Sequence, residues 1–303
     1  MSAVDLTNPV FQDAQAAREY LESVRWPNGP VCPHCGEAEE IAALRGKAHR
    51  PGLYKCRSCR GQFSVTVGTV FERSKIALNK WLLASYLLCG SKKGFSAHQL
   101  HRMIGVTYKT AWFMAHRLRE AMREGKAADM GGSNKVVEAD ETYVGGKAKN
   151  RAFKEPPKKE AVVALVERDG KVRSQHVPNV TSKTVREILV TQASRDSFLM
   201  TDESPVYRKV GREYQGHGSV NHSIDEYVRG GFYHTNTVEN YFSILKRGIN
   251  GTYQAVSKQH LKRYLGEFDF RYNFRNVDDW SRTAEALKGA DGKRLFYSTA
   301  PAN

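Results

Sequence analysis

Apolar positions recur at two different periods along the chain. Between residues 74 and about 125 they return every three or four residues, the spacing that lines one face of a helix. Residues 76–88 read as a buried helix with Trp81 in its first half, and the stretch from Gly90 to Gly94 breaks it. Ser96 then caps a helix running through Met103, with Leu100 and Met103 on its apolar side. Gly105, Val106 and Thr107 make a turn. A third helix follows over about 108–123, with Ala111, Met114, Ala115, Leu118 and Met122 on one stripe. Residues 1–28 read as a short helical lead-in ending near Trp26, Pro27, Asn28 and Gly29.

Beyond residue 134 the pattern becomes the alternation of strands. In KVVEADETYVGG (135–146), Val136, Val137, Tyr143 and Val144 predict a strand, and Gly145 with Gly146 its turn. Alternation puts Asp140 on the face shared with Glu138 and Thr142, and Glu141 on the opposite face. A basic loop over 147–159 holds six Lys or Arg. Residues 161–166 and 171–177 predict a second and third strand about a turn at Asp169 and Gly170. Thr181 caps a helix ending at Gln192, and 197–201 is a short apolar strand with Asp202 at its end. A helix over 235–246 carries Glu239, and Leu261, Tyr264, Leu265, Phe268 and Tyr272 form a later stripe read as core. Gly131 and Gly132 within 128–134 mark a linker between the halves, and 291–303 reads as a loosely ordered tail. The expected division is a helical lead-in (1–29), a cysteine module (30–72), a helical domain (73–127), an α/β domain (134–285) and a tail (286–303).

Four of the five cysteines fall in two pairs, CPHCG (32–36) and KCRSC (55–59), with twenty residues between them. Zinc takes four soft ligands at tetrahedral corners, and two residues between paired thiolates let one tight turn aim both at the metal. The spacing predicts one structural Zn2+ held by Cys32, Cys35, Cys56 and Cys59, stabilising a ribbon with little core of its own. Cys89 sits in an apolar run and reads as plain helix core. Lys and Arg outnumber Asp and Glu by 47 to 32, a formal charge of +15. That balance favours a polyanionic partner, because neutralised phosphates release counterions. Membrane surfaces attract positive charge too, but the longest apolar stretch, 81–89, is too short to span a bilayer. No charged start followed by an apolar run opens the chain, which predicts a soluble, intracellular protein.

A helix, a short turn containing Gly and a basic helix form the helix-turn-helix pattern. Thr107, Tyr108, Lys109 and Thr110 lie at the start of its recognition helix, where base edges are read, and Arg117, Arg119 and Arg123 are expected to reach phosphates. A generic three-helix bundle fits the same spacing. Three antiparallel strands, a helix, a parallel strand and further helices give the order of an RNase H-like fold. The predicted class is therefore α+β multidomain: a zinc ribbon and helix-turn-helix bundle, then an RNase H-like α/β domain with a mixed sheet flanked by helices. Such a fold gathers acids from strand ends and one helix, and Asp140, Asp202 and Glu239 hold those places. Singly they read as a strand charge, a turn cap and a helix-dipole partner. Jointly they suit two hard cations about 4 Å apart, serving both oxygens of an in-line phosphodiester displacement.

These motifs resemble the zinc-ribbon-bearing DDE transposases of insertion sequences, the ISXO-like group. The likeness runs from about Phe11 to Arg275. Besides the cysteine pairs it rests on FSVTVGTVFERSKIALNKW (63–81), EADETYVGGK (138–147), TDE (201–203), VNHS (220–223), FYHTNTVENYFSILKRGINGTYQAVS (232–257) and EFDFRYNFR (267–275). The resemblance implies that Asp140, Asp202 and Glu239 ligate two Mg2+ or Mn2+ ions. It implies that double-stranded DNA, as transposon ends and target, is cut and joined through the freed 3′ hydroxyl. Holding two ends implies a homo-oligomer on DNA, in the cytoplasm and associated with the nucleoid. His217, His222 and His234 read as a loop cluster before the Glu239 helix, with His234 and Asn236 the best placed for a DNA or supporting role. Lys246 and Arg247, with Lys258, Lys262 and Arg263, are expected to follow a DNA strand, while Arg271 and Arg275 read as partners of Glu267 or Asp269. Two rivals remain: a zinc-dependent DNA-binding regulator with a remnant second half, and a nuclease that cuts without joining. The intact acid trio speaks against the first.

Overall fold

The computed structural model describes residues 5–125, 128–145, 159–220 and 232–296. The chain forms two compact units, one of residues 1–123 with 277–303 and one of residues 124–276.

The first unit opens with α1 (Pro9–Gln12) and α2 (Ala14–Arg25), the latter capped by Asp13, whose carboxylate accepts from Ala16 N–H. Strands β1 (Ile41–Leu44), β2 (Leu53–Cys56) and β3 (Gln62–Phe63) pair antiparallel in that order. So small a sheet has little core, and the lead-in supplies it. Trp26, at the end of α2, meets Tyr54 and Phe63 edge-on with ring centroids 5.6 and 5.8 Å away. Arg25 donates to the carbonyls of Val65 and Val67.

Helices α3 (Leu78–Gly90), α4 (Ala97–Ile104) and α5 (Tyr108–Met122) follow the predicted periodicity. Ser96 caps α4 through Gln99 N–H, Gly105 ends it in the left-handed region (φ 65°), and Thr107 caps α5. Cys89 is fully buried in α3, as expected. One position differs: Met103 is 48 % exposed, and Ile104 joins Leu100 in the core instead. Residues four apart lie nearly over one another on a helix, so packing chose the Leu100–Ile104 side of the stripe.

The second unit contains β4 (Val136–Val144), β5 (Glu160–Glu167), β6 (Val172–Val177), α6 (Ser182–Gln192), β7 (Phe198–Asp202), α7 (Arg208–Gly211), β8 (Gly216–Val220), α8 (Asn236–Gly248) and α9 (Lys258–Asn273). A π-helical turn, Ile249–Tyr253, links the last two. The described strands are ordered β6-β5-β4-β7-β8; β4, β5 and β6 pair antiparallel, and β7 and β8 continue parallel to β4. Both faces are covered. Val137, Ala139, Val163 and Leu165 pack with Val185, Leu189 and Tyr207 on one side. Val162, Ala164 and Val166 pack with Val238, Leu245, Leu265 and Phe268 on the other. This is the mixed, helix-flanked sheet of an RNase H-like domain.

Strand β8 was not foreseen, because GHGSV carries two glycines where a strand needs side chains. The glycines are needed for close approach: a Cβ on Gly216 would lie 2.4 Å from the Phe198 ring and one on Gly218 2.6 Å from Tyr233. The expected linker at 128–134 is also revised. Met130 bridges to Ala193, Gly131 N–H donates to Glu167 and Gly132 N–H to Ser197, so this stretch is part of the second unit. A Cβ on Gly131 would fall 2.1 Å from Ser197 Oγ, which marks a packed position and not a hinge.

Finally α10 (Asp279–Lys288) returns the chain to the first unit. Its Trp280 stacks on Tyr20 at 4.5 Å, and Arg282 donates to the Cys89 carbonyl. Asp291 pairs with Arg25, and Lys293 donates to the carbonyls of Ala121 and Arg123. The α/β domain therefore stops near 276, short of the expected 285, and the described part of the expected tail is bonded into the first unit. Short-range pattern could not reveal this, since α10 finds its partners far upstream, as the 193-residue separation of Arg282 and Cys89 shows.

Candidate active site and metal centre

In the ribbon, each cysteine pair sits in a turn whose amides point at sulfur. The N–H groups of His34 and Cys35 bond Cys32 Sγ, that of Glu37 bonds Cys35, and that of Gly61 bonds Cys59. Burial opposes ionisation of Cys32, yet the amide donors prevail and bring its thiol down to about 7. Cys32 Sγ lies 3.6 Å from Cys59 Sγ, and Cys35 Sγ lies 3.7 Å from Cys56 Sγ. A tetrahedron with metal–sulfur bonds near 2.3 Å has edges of about 3.8 Å, so the sulfurs already stand at zinc spacing. Among the described residues these four are the one group of three or more His, Cys, Asp or Glu side chains whose ligand atoms all fall within 4.8 Å.

The second cluster is assembled by the sheet. The last parallel pair between β4 and β7 is Glu138 with Met200. Two residues further along each strand stand Asp140 and Asp202, past the point where the ladder ends. Glu239 lies in the first turn of α8, which covers the same face through Val238 and Leu245. The charges of the other two acids reach Asp140. Burial pushes the Asp140 carboxyl up to about 7, and the charges of Asp202, Glu141 and Glu239 add to the rise, against one amide bond from Glu141 N–H. They stand further apart than the cysteines, outside the 4.8 Å grouping. Carboxylates held this close without a cation repel, and a hard cation is what such a donor set suits.

One backbone amide and one hydroxyl hold two of the acids. Ser204 N–H donates to Asp202 at 3.1 Å, and the Thr235 hydroxyl donates to Glu239 at 2.8 Å. Glu141 does point away, as alternation required. It accepts from the buried Tyr207 hydroxyl at 2.6 Å, and burial together with the Asp202 charge raises its pKa. Tyr207 and Thr235 were missed because their contacts to Glu141 and Glu239 show only in the folded chain. His217 is in β8, not in a loop; its ring meets Thr201 Oγ1 at 2.9 Å, and burial lowers its pKa. His222 and most of the basic loop at 147–159 lie outside the described residues.

The expected DNA contacts divide. Thr107, Tyr108, Lys109, Asn236, Lys246 and Arg247 are exposed, and Tyr108 stacks on His98 at 4.2 Å. Arg117 is a correction: only 8 % exposed, it donates to the Glu72 carbonyl and lies against the Trp81 and Phe113 rings. Arg119 is likewise buried. Both side chains are held inside the fold, one on each side of the core stripe of α5. His234 faces inward, with Nδ1 3.3 Å from Glu138. Arg271 pairs with Glu267 as expected, but Arg275 caps carbonyls at Gly170 and Tyr272.

A four-sulfur ribbon ahead of an RNase H-like sheet with acids gathered beyond its central strands defines the class. A model of the transposase zinc-ribbon domain matches residues 12–62, and one of the ISXO2-like transposase domain matches residues 131–273. An uncharacterised protein in transposable element ISH50 of Halobacterium salinarum is 30% identical over 86% of this chain and 91% of its own. An uncharacterised transposase-like protein of Haemophilus influenzae is 28% identical over 34% of this chain and 81% of its own. The chain belongs to the ISXO2-like transposases. Among solved structures, a Mos1 transposase paired-end complex aligns at a TM-score of only 0.29, with 10% identity over 69% of this chain and 74% of that one. Among the described residues no helix is long and apolar enough to cross a membrane.

Proposed function

We propose that the chain is an active transposase that binds the ends of its element, cuts DNA there and joins the freed 3′ hydroxyl to a target duplex. Asp140, Asp202 and Glu239 would hold a pair of magnesium or manganese ions. Bound there, the ions supply activation of the attacking oxygen and stabilisation of the leaving oxygen. The observation that carries this reading is the convergence on Asp140: Asp202 and Glu239 both raise its pKa, although the three come from β4, β7 and α8. A binding protein has no use for that repulsion.

Each residue has its task. Asp140 and Asp202 present carboxylate oxygens from adjacent strands, and the Ser204 amide donates to Asp202. Glu239 closes the site from α8, held by Thr235. Thr107, Tyr108 and Lys109 offer an exposed helix start to DNA, and Lys246 and Arg247 offer charge to a phosphate backbone. Asn236, exposed at the start of α8, offers a contact to DNA, while His234 packs inward against Glu138. Two ends held at once call for a homo-oligomer on DNA, working in the cytoplasm on the nucleoid.

The test mixes full-length protein with end-labelled terminal DNA and magnesium or manganese. Cleavage and joined products are expected, both lost in Asp202→Ala. Cleavage that survives Asp202→Ala removes the metal assignment. Cleavage without joining makes the protein a nuclease, and binding alone makes it a regulator.

A further inference from the structure

Glu138 stands two residues before Asp140 on the same face of β4, and its side chain is 0 % exposed. A carboxylate so buried is costly unless every lone pair is engaged, and here they are. Oε2 accepts from the N–H groups of Thr237 at 2.9 Å and Val238 at 3.0 Å. Oε1 accepts from the Thr237 hydroxyl at 2.9 Å and from Arg168 Nε at 2.6 Å.

Those two amides belong to the first turn of α8, where a helix has donors without partners of its own. A residue at the N-cap ordinarily serves them. Thr235 makes no side-chain capping bond and directs its hydroxyl to Glu239 instead. The cap is therefore delivered from a strand 99 residues away. Arg168 braces the arrangement from the β5–β6 turn: Nη1 donates to the Phe232 carbonyl and Nη2 to the His234 carbonyl, both at 2.9 Å. One guanidinium thus ties Glu138 to the segment that leads into α8.

We propose that Glu138, braced by Arg168, is a positioning residue that sets the first turn of α8 and with it the place of Glu239 relative to Asp140. Resting on the assignment of Asp140, Asp202 and Glu239 as cation ligands, the proposal gives Glu138 no contact with metal or DNA. Its charge is already matched by Arg168 and by the positive end of α8. The carboxylate works by geometry: one side chain joins the strand that carries the first acid to the helix that carries the third.

The test compares full-length Glu138→Gln and Arg168→Lys with wild type, with Asp202→Ala, and with Val185→Ala, a core truncation on the opposite face of the sheet. The readouts are the melting temperature, the binding of terminal DNA, and the Mn2+ concentration for half-maximal cleavage, measured well below each melting temperature. Glu138→Gln keeps one acceptor oxygen but loses the charge that holds Arg168; Arg168→Lys keeps charge but cannot reach three acceptors at once. Both are expected to bind DNA as wild type does and to need at least about tenfold more Mn2+, the usual cost of disturbing a partner behind a metal ligand. Saturating Mn2+ should restore much of the rate. Val185→Ala should lose stability with no change in Mn2+ requirement. Should either variant fail to fold, the other still decides. An unchanged Mn2+ requirement in a folded variant, or a shift of the same size in Val185→Ala, overturns the proposal and leaves Glu138 a plain helix cap. If Asp202→Ala cleaves like wild type, the ligand assignment itself has failed.

Discussion

In the ribbon, four ligands come from two short turns and their sulfurs already stand 3.6 and 3.7 Å apart across the site. In the α/β domain, three ligand candidates come from two strands and a helix, at a wider spacing, and two of them raise the pKa of the third, Asp140. The contrast follows from chemistry. A thiol is neutral until metal or an amide donor draws off its proton, so four can gather without large cost. Carboxylates carry charge at neutral pH, so a fold that gathers them must bury one, raise its pKa and spend tertiary contacts to keep them together. The four-sulfur site belongs to the folding of its module, whereas the acids are gathered on a sheet that is stable without them.

The largest effect expected from this contrast is on zinc. Removing it with a strong chelator, or making Cys56→Ser, should abolish hydrogen-exchange protection in β1, β2 and β3. A structural zinc contributes on the order of 10–16 kcal/mol to small domains. The α/β sheet should keep its protection throughout. A ribbon that stays protected without zinc would show that Trp26, Tyr54 and Phe63 hold it alone.

The acids should behave in the opposite way. Asp140→Asn or Asp202→Asn is expected to lower cleavage by about three orders of magnitude, the several kcal/mol a bound cation supplies. Melting of the metal-free protein should hold or rise, since one repelling charge is gone. A large drop in stability would mean that the acids are structural.

The smallest effect is a pH dependence. With the Asp140 carboxyl at about 7 in the metal-free protein, the folded state binds more protons than the unfolded state between the ordinary carboxylate pKa near 4 and that value. Metal-free stability should therefore decline as pH rises through this window. Mn2+ affinity should fall as pH drops below 7, by about tenfold per unit for one displaced proton. Calorimetric titration between pH 5.5 and 8 reads both signs, and a flat affinity would contradict them.

The same contrast explains what the sequence made legible. Cysteine spacing is local geometry, so the ribbon's ligands were plain from two tetrapeptides. The acids needed the order of elements, and Asp140, Asp202 and Glu239 could be put forward as candidates because strand ends and a helix start were readable from alternation and period. What depended on distant packing was not readable. Nothing near Trp280 says that it will stack on Tyr20. Gly131 and Gly132 looked like a linker because the packing of the first against Ser197 and the hydrogen bond of the second to it leave no trace in local pattern. Arg117 looked like a phosphate contact because a long polar stem can bury itself against Trp81 and satisfy its head on the Glu72 carbonyl.

The central claim is that acids at 140, 202 and 239 share divalent cations. Crystals of the full-length protein grown with saturating manganese, with diffraction collected at the manganese absorption edge, test it most directly. Anomalous density bounded by all three carboxylates, and absent in Asp202→Asn crystals, is the predicted result. Manganese bound elsewhere, or no density between these side chains, would contradict the account.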